Sequence, residues 1–282
     1  MDAIHINWTK PYTLRTDMPY SVEDFELLTT ILSALKWQEK NGDIKMITDS
    51  VGKKFYEEIG IDKIWNKGIN TSLDHIPEHI NPGVFWAAGK LFALRSQSAP
   101  IAMIDTDFIV WDEILFDNLP AVTAIHFEDL YSDVYPDKSY FQMKNGYSFD
   151  NSWNWSLKAC NTAFCVFKNQ ELIDYYTSEA IRFMENAADT NDPLKYMVFA
   201  EQRLLPMCAD KMNLYYSAFS DLNRLFTHAE NYFTHTWGMK QQMRDIPELR
   251  FDFCKRCVDR IIRDYPHMKD ILSNIECIKQ YL

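Results

Sequence analysis

The alternation Ile4-His5-Ile6-Asn7-Trp8 reads as a short first strand, because side chains two apart share one face of a pleated chain. Phe25, Leu28, Leu32 and Leu35 then recur at helical spacing. Ser21 with Asp24 resembles an N-cap and Asn41-Gly42 an ending, which predicts a helix over 21–40. Residues 43–49 form the next apolar-rich strand, and 50–60 a short amphipathic helix closing on Gly60. Asn81-Pro82-Gly83 punctuates the chain before a helix expected over 84–97, which leads through Ser98-Ala99-Pro100 into an apolar run over 101–111. Residues 131–154, rich in Tyr, Asp, Ser and Asn, read as a long loop. A further strand is expected over 161–167, helices over 170–187 and 193–209, and a mostly helical tail over 247–282 with a break at Pro266. Strands alternating with helices predict an α/β fold whose sheet is mostly parallel. The expected division is one domain over 1–245 and a C-terminal helical extension over 246–282.

The run over 101–111 carries the most specific signal. Its apolar residues stop at Asp105-Thr106-Asp107 and then resume. A carboxylate at the edge of a core carries a desolvation cost of several kcal/mol unless something compensates it. Side chains at i and i+2 of an extended segment point the same way, so Asp105 and Asp107 can approach one hard divalent cation, which commonly completes its shell with waters or substrate phosphates. A strand-to-turn junction whose Asp side chains cap backbone N–H groups accounts for the same residues. The strand's C-terminal end is the edge where ligands bind in open α/β sheets.

Composition narrows the classes. With 282 residues, 47% apolar and 15% aromatic, the chain has ample material for a core. A net charge of −11 argues against nucleic acid as a partner, since phosphate binding requires clustered Lys and Arg. The segment Met1-Asp2-Ala3-Ile4 lacks the basic and apolar regions of a secretory signal, and no apolar run is long enough to span a bilayer, so a cytoplasmic location is expected. The six Cys are then expected as reduced, mostly buried groups; Cys254 and Cys257 form a lone C-x-x-C without a second pair at zinc spacing. His5, His75, His79, His126, His228 and His267 have no partner at ligand spacing. Lys255, Arg256, Arg260, Arg263 and Lys269 among apolar residues leave open a contact with the inner face of an anionic membrane, against a solvated helix face packing the domain.

Asp105-Thr106-Asp107, then Asn161-Thr162-Ala163, then Glu201-Gln202, then His235-Thr236-Trp237-Gly238-Met239-Lys240 come in an order that resembles nucleotide-sugar glycosyltransferases of the GT-A fold, in particular the retaining type that includes glycogenin and the lipopolysaccharide galactosyltransferases. Ala163 stands where that family often has Gly, and Glu201 where it often has Asp. The resemblance implies a Rossmann-like, mixed, mostly parallel sheet flanked by helices. It implies that Asp105, Asp107 and His235 hold Mn²⁺ (or Mg²⁺), with imidazole favouring manganese. It also implies that Gln202 and Glu201 face the transferred sugar and that Lys240 reaches the diphosphate as a point charge. Thr106, Asn161, Thr162 and Gly238 then belong to donor and acceptor binding. Lys90, beside Ala87-Ala88-Gly89, is a candidate for the donor pocket or an ordinary helix lysine. Thr9, Lys10 and Asp49 follow the first two strands, where such folds place the nucleoside. Trp153 and Trp155 are candidates for stacking on sugars or for core packing.

The resulting expectation is a metal-dependent glycosyltransferase using a nucleotide-sugar donor, UDP-linked in this reading, and acting on a glycan or lipid-linked acceptor in bacterial surface polysaccharide synthesis. The competing expectation is a protein of the same fold that binds or scaffolds without turnover, which the Ala163 and Glu201 departures motivate.

Overall fold

A computed structural model describes residues 1–227 and 230–282, so His228 lies outside the described residues. Seven strands form the main sheet in the order β3-β2-β1-β4-β7-β6-β8: β1 Ala3–Asn7, β2 Ile44–Thr48, β3 Ile69–Asn70, β4 Ile101–Ile104, β6 Val122–Glu128, β7 Ala159–Phe167 and β8 Tyr216–Ala218. Two short strands, β5 Phe108–Val110 and β9 Phe233–His235, pair in a second sheet. The pairings β1·β2, β1·β4, β2·β3 and β6·β8 are parallel, whereas β7 runs antiparallel to both β4 and β6. The mixed, mostly parallel sheet expected from the resemblance is therefore present.

Helices cover both faces, as the near-continuous apolar burial of β4 and β7 requires. The helices in chain order are α1 Lys10–Thr13, α2 Asp24–Lys40, α3 Ser50–Glu58, α4 Ala88–Arg95, α5 Gln170–Asn186, α6 Pro193–Val198, α7 Leu204–Lys211, α8 Leu222–Phe226, α9 Lys240–Asp245, α10 Pro247–Asp264 and α11 Met268–Asn274. Leu91 and Leu94 of α4, Tyr176 and Phe183 of α5 and Leu205 of α7 pack on one face of the sheet. Leu28, Ile31 and Leu32 of α2 pack on the other together with Cys254, Val258 and Ile261 of α10.

The tail is thus helical, and its apolar face is buried in the same core as α2. Three of its cations are engaged within their own helix: Lys255 with Asp259 at 2.6 Å, and Arg260 and Arg263 with Asp264 at 2.6 and 3.0 Å. Cys254 and Cys257 are buried thiols against α2. No helix among the described residues is long and apolar enough to cross a membrane.

Several boundaries differ from the sequence pattern for identifiable reasons. Helix α2 begins at Asp24, because Ser21 bonds the Tyr12 hydroxyl at 3.0 Å and caps nothing. Residues 84–87 form successive turns, with Val84 and Phe85 N–H groups both reaching the Asn81 carbonyl, so the helix starts only at Ala88. The segment expected over 193–209 is one continuous helical rod that widens to a π-turn over Phe199–Arg203. Pro206 has no N–H to return to the carbonyl four residues before it, which favours a local change of register just upstream.

Candidate functional site

The run over 101–111 is two strands. After Ile104 the chain leaves the main sheet, turns through Asp105-Thr106-Asp107 with Phe108 N–H bonded to the Asp105 carbonyl at 3.0 Å, and enters β5 in the second sheet. Asp105 and Asp107 therefore share a turn, not the i, i+2 face of one extended strand. Both still line the same cavity of about 630 Å³ at the C-terminal edge of β1 and β4.

Two lysines organise it. Helix α4 approaches the end of β1 so closely that a Cβ on Gly89 would lie 2.7 Å from the Trp8 Cβ, so glycine is needed there. The next residue, Lys90, bridges Asp105 Oδ1 at 2.7 Å and Glu201 Oε1 at 2.6 Å, and Thr162 Oγ1 donates to the same Glu201 oxygen at 2.6 Å. Burial works against the Lys90 ammonium, but Asp105 and Glu201 outweigh it and hold the ammonium well above its ordinary range. Burial raises the Asp105 carboxyl, with Lys90 pulling it down and Asp107 and Glu201 pushing it further up. Strand β7 fixes the height of this cluster, since Asp105 N–H donates to the Ala163 carbonyl at 2.7 Å.

The second cluster depends on β9. Pairing Phe108 with His235 and bonding Thr236 N–H to the Asp107 carbonyl at 3.1 Å bring residues far apart in sequence together. Lys240 Nζ lies 3.0 Å from Asp107 Oδ2 and 3.0 Å from Glu26 Oε1; His235 Nε2 lies 3.7 Å from the same Asp107 oxygen. Burial lowers the His235 imidazole to about 4, so the ring is neutral at neutral pH. Burial alone would raise Asp107, but His235 and Lys240 bring it below the usual carboxylate value.

The π-turn presents Glu201 and Gln202 in succession. Gln202 Oε1 accepts the Tyr135 hydroxyl at 2.6 Å. Buried Arg203 donates to the Tyr135 carbonyl at 2.9 Å and to the Pro136 and Trp155 carbonyls at 2.6 Å each, which ties the loop after β6 to this turn.

Of the residues expected in the site, the structure gathers Lys90, Asp105, Thr106, Asp107, Asn161, Thr162, Glu201, Gln202, His235 and Lys240 around the cavity. It does not bring in Thr9, Lys10, Asp49 or Gly238. The Asp49 carboxylate is saturated by Thr9 N–H and hydroxyl and by Gly52 N–H, capping α3. Lys10 is exposed on α1, and Gly238 is exposed in the turn between Trp237 and Lys240. Trp153 is buried in the core and Trp155 stacks on Phe199, so neither lines the cavity. The sequence reading missed Asn7, Trp8, Trp86, Glu128 and Tyr135 there. The run Val122-Thr-Ala-Ile-His-Phe-Glu128 carried a usable signal, an apolar β-branched strand ending in a carboxylate like β4. A second groove of about 520 Å³, lined by Tyr12, Arg15, Tyr20 and Glu26, shares Asn7, Trp8, Trp86 and Thr106 with the first.

Four carboxylates (Asp105, Asp107, Glu128, Glu201) and two ammonium groups (Lys90, Lys240) line the main cavity, a formal charge of −2. Among the described residues no three His, Cys, Asp or Glu side chains form a ready-made metal cage. Asp107 and the neutral His235 imidazole nevertheless converge at a separation two donors on one ion can span. Ions of the Mg²⁺ and Mn²⁺ type often take few protein ligands and leave positions for phosphate oxygens. Asp107 and His235 are thus the pair able to share one such ion, whereas Asp105, expected as a third ligand, is engaged by Lys90 and forms no three-ligand group with them among the described residues.

No curated protein matches the chain. Among solved structures it is similar to PaToxG glycosyltransferase (12% identity, TM-score 0.43, covering 99% of this chain and 85% of that one). It is also similar to an active-site mutant of LgtC (10% identity, TM-score 0.43, 83% and 86%) and to mouse xyloside xylosyltransferase 1 (8% identity, TM-score 0.39, 78% and 85%). A family model matches residues 1–271, and the chain belongs to the family it describes, a family of unknown function designated DUF6734.

Proposed function

We propose that the protein transfers a glycosyl group from a nucleotide-sugar donor to a hydroxyl acceptor, with retention at the anomeric carbon. The observation that carries this reading is the convergence of Lys90–Asp105–Glu201 and Lys240–Asp107–His235 on one cavity that continues into a second groove. A cavity with a formal charge of −2 repels a diphosphate by itself. A divalent cation, manganese in this reading, held by Asp107 and His235 would offset that charge and stabilise the departing diphosphate. Lys240 leaves Asp107 for the diphosphate when donor binds, and Glu26 keeps the ammonium over the site. Lys90 holds the Asp105 and Glu201 carboxyl groups in place at the wall of the cavity, where they meet the hydroxyl groups of the sugar. Gln202, oriented by Tyr135, places its amide dipole against the developing oxocarbenium charge. The groove beside Tyr12 and Tyr20 takes the nucleoside. We place the reaction in the cytoplasm, where the six thiols stay reduced, in synthesis of a surface glycan.

The test is a thermal-shift series with UDP, GDP, CDP and ADP, with and without Mn²⁺. A ligand at about a hundred times its Kd stabilises by about 2.7 kcal/mol, enough to move Tm by several degrees. One nucleotide, UDP in this reading, raises Tm only with Mn²⁺, and Asp107→Asn removes the effect. A flat response to all four, or an equal response in Asp107→Asn, refutes the donor site.

A further inference from the structure

We propose that Glu128 and the tyrosine wall beside it form the acceptor end of the cavity and select an uncharged glycoside over an acidic one. This inference rests on the glycosyl-transfer reading above. Glu128 is the last residue of β6, which is separated from β4 by β7. At about 4.8 Å per strand, its backbone lies roughly 10 Å across the sheet from the Asp105 cluster. The cavity therefore has two ends. At one, Asp105, Asp107 and Glu201 each face a lysine. At the other, no lysine or arginine among the described residues pairs with Glu128. Its contacts are Asn161 Nδ2, donating at 3.2 Å, and the buried His126 ring, whose Nδ1 lies 3.7 Å away. Burial disfavours the charged form of that ring, so it is no counter-ion. The formal charge of Glu128 has no lysine or arginine beside it among the described residues, and Asn161 takes only one of the two oxygens of this cavity-lining residue.

The surrounding wall has the complementary character. Tyr131 and Leu194 expose 68% and 44% of their surface at the rim, and Val134, Tyr135 and Val198 continue inward. A sugar ring offers an apolar C–H face to such a surface and hydroxyl protons to a carboxylate acceptor, the combination that orients small ligands in pockets. Arg203 holds this wall in place through the Tyr135 and Pro136 carbonyls. An acceptor carrying a carboxylate meets Glu128 with no cation between them, and a like-charge contact of this kind discriminates between otherwise similar ligands.

The experiment compares methyl β-D-glucoside with methyl β-D-glucuronide, which differ only at the sixth carbon, by saturation-transfer NMR on the full chain, with methyl galactoside and mannoside as further neutral probes. A neutral glycoside binds at least about tenfold more tightly than the glucuronide, equivalent to ~1.4 kcal/mol. Glu128→Gln keeps the side chain's shape and its contact with Asn161 and brings the pair to within about threefold. Equal binding of the two by the wild-type chain, an unchanged preference in Glu128→Gln, or binding of none of the four overturns the proposal. Nucleotide-dependent thermal shifts, run on both proteins, separate the two readings. Their absence refutes the donor site, whereas a normal nucleotide shift with no glycoside discrimination refutes the acceptor selectivity alone.

Discussion

Lys90→Met removes the one cation that bridges Asp105 and Glu201 while keeping most of the side chain's apolar volume. Of the two carboxylates left behind, Glu201 is 6% exposed and stays cut off from water, whereas Asp105, at 24%, is half-buried. Deleting one partner of a buried pair costs about 3–5 kcal/mol, because the other charges stay buried without compensation. Here Glu201 is left buried while Asp105 is half-buried and already shifted toward its neutral form, which places the loss at the lower end. For a chain of this size that is a fall in Tm of roughly 6–12 °C. The loss depends on pH. Burial already raises Asp105 in the wild type against the pull of Lys90, and removing the lysine raises it further. A carboxyl whose folded value lies above its unfolded value binds more protons in the folded state, so stability falls as pH rises from the unfolded value, near 4, through the folded one. The deficit of Lys90→Met against wild type is therefore smallest near pH 5 and grows toward pH 8. Urea titrations at pH 5, 6.5 and 8, followed by the fluorescence of the eight tryptophans, measure it directly. A deficit under about 1 kcal/mol, or one that does not change with pH, would show that Lys90 is an ordinary solvated lysine and refute the site's electrostatic design.

Lys36 supplies the contrasting case: it is 4% exposed between Glu39 and Asp264, but Asp264 also has Arg260 and Arg263 and Glu39 is 36% exposed. Lys36→Met is thus expected to change stability by less than ~1 kcal/mol, read in the same urea assay. Arg203→Met strips donors from three backbone carbonyls and should cost on the order of 3 kcal/mol, with limited proteolysis opening the chain first in the loop after β6. Tyr135→Phe removes only the 2.6 Å bond to Gln202, so a stability loss near ~1 kcal/mol is expected together with a nucleotide-induced thermal shift equal to wild type.

The strands β1, β2, β4 and β7 and the helices between them were legible because their signals are local: alternation, apolar runs and 3.6-residue spacing followed by Gly or Asn. The carboxylates of the Asp-x-Asp turn stood out for the same reason, since charge interrupting an apolar strand is visible without coordinates. The short strands β5, β8 and β9, of three residues each, left no comparable trace. Their stability comes from partners more than a hundred residues away in the case of β5 and β9.

The chain's own pattern determined that β4 would end in acid at a sheet edge and that Glu201-Gln202 would lie on a helix. Only the tertiary structure decided which charges meet. It saturated Asp49 with Thr9 and Gly52, so that a plausible ligand became a helix cap, and it turned Lys90 from a helix lysine into the bridge between Asp105 and Glu201. It also left Glu128 without a lysine or arginine partner among the described residues. The physical reason is that secondary structure follows from neighbours in sequence, whereas the state of a buried charge follows from whichever group the fold places within about 4 Å.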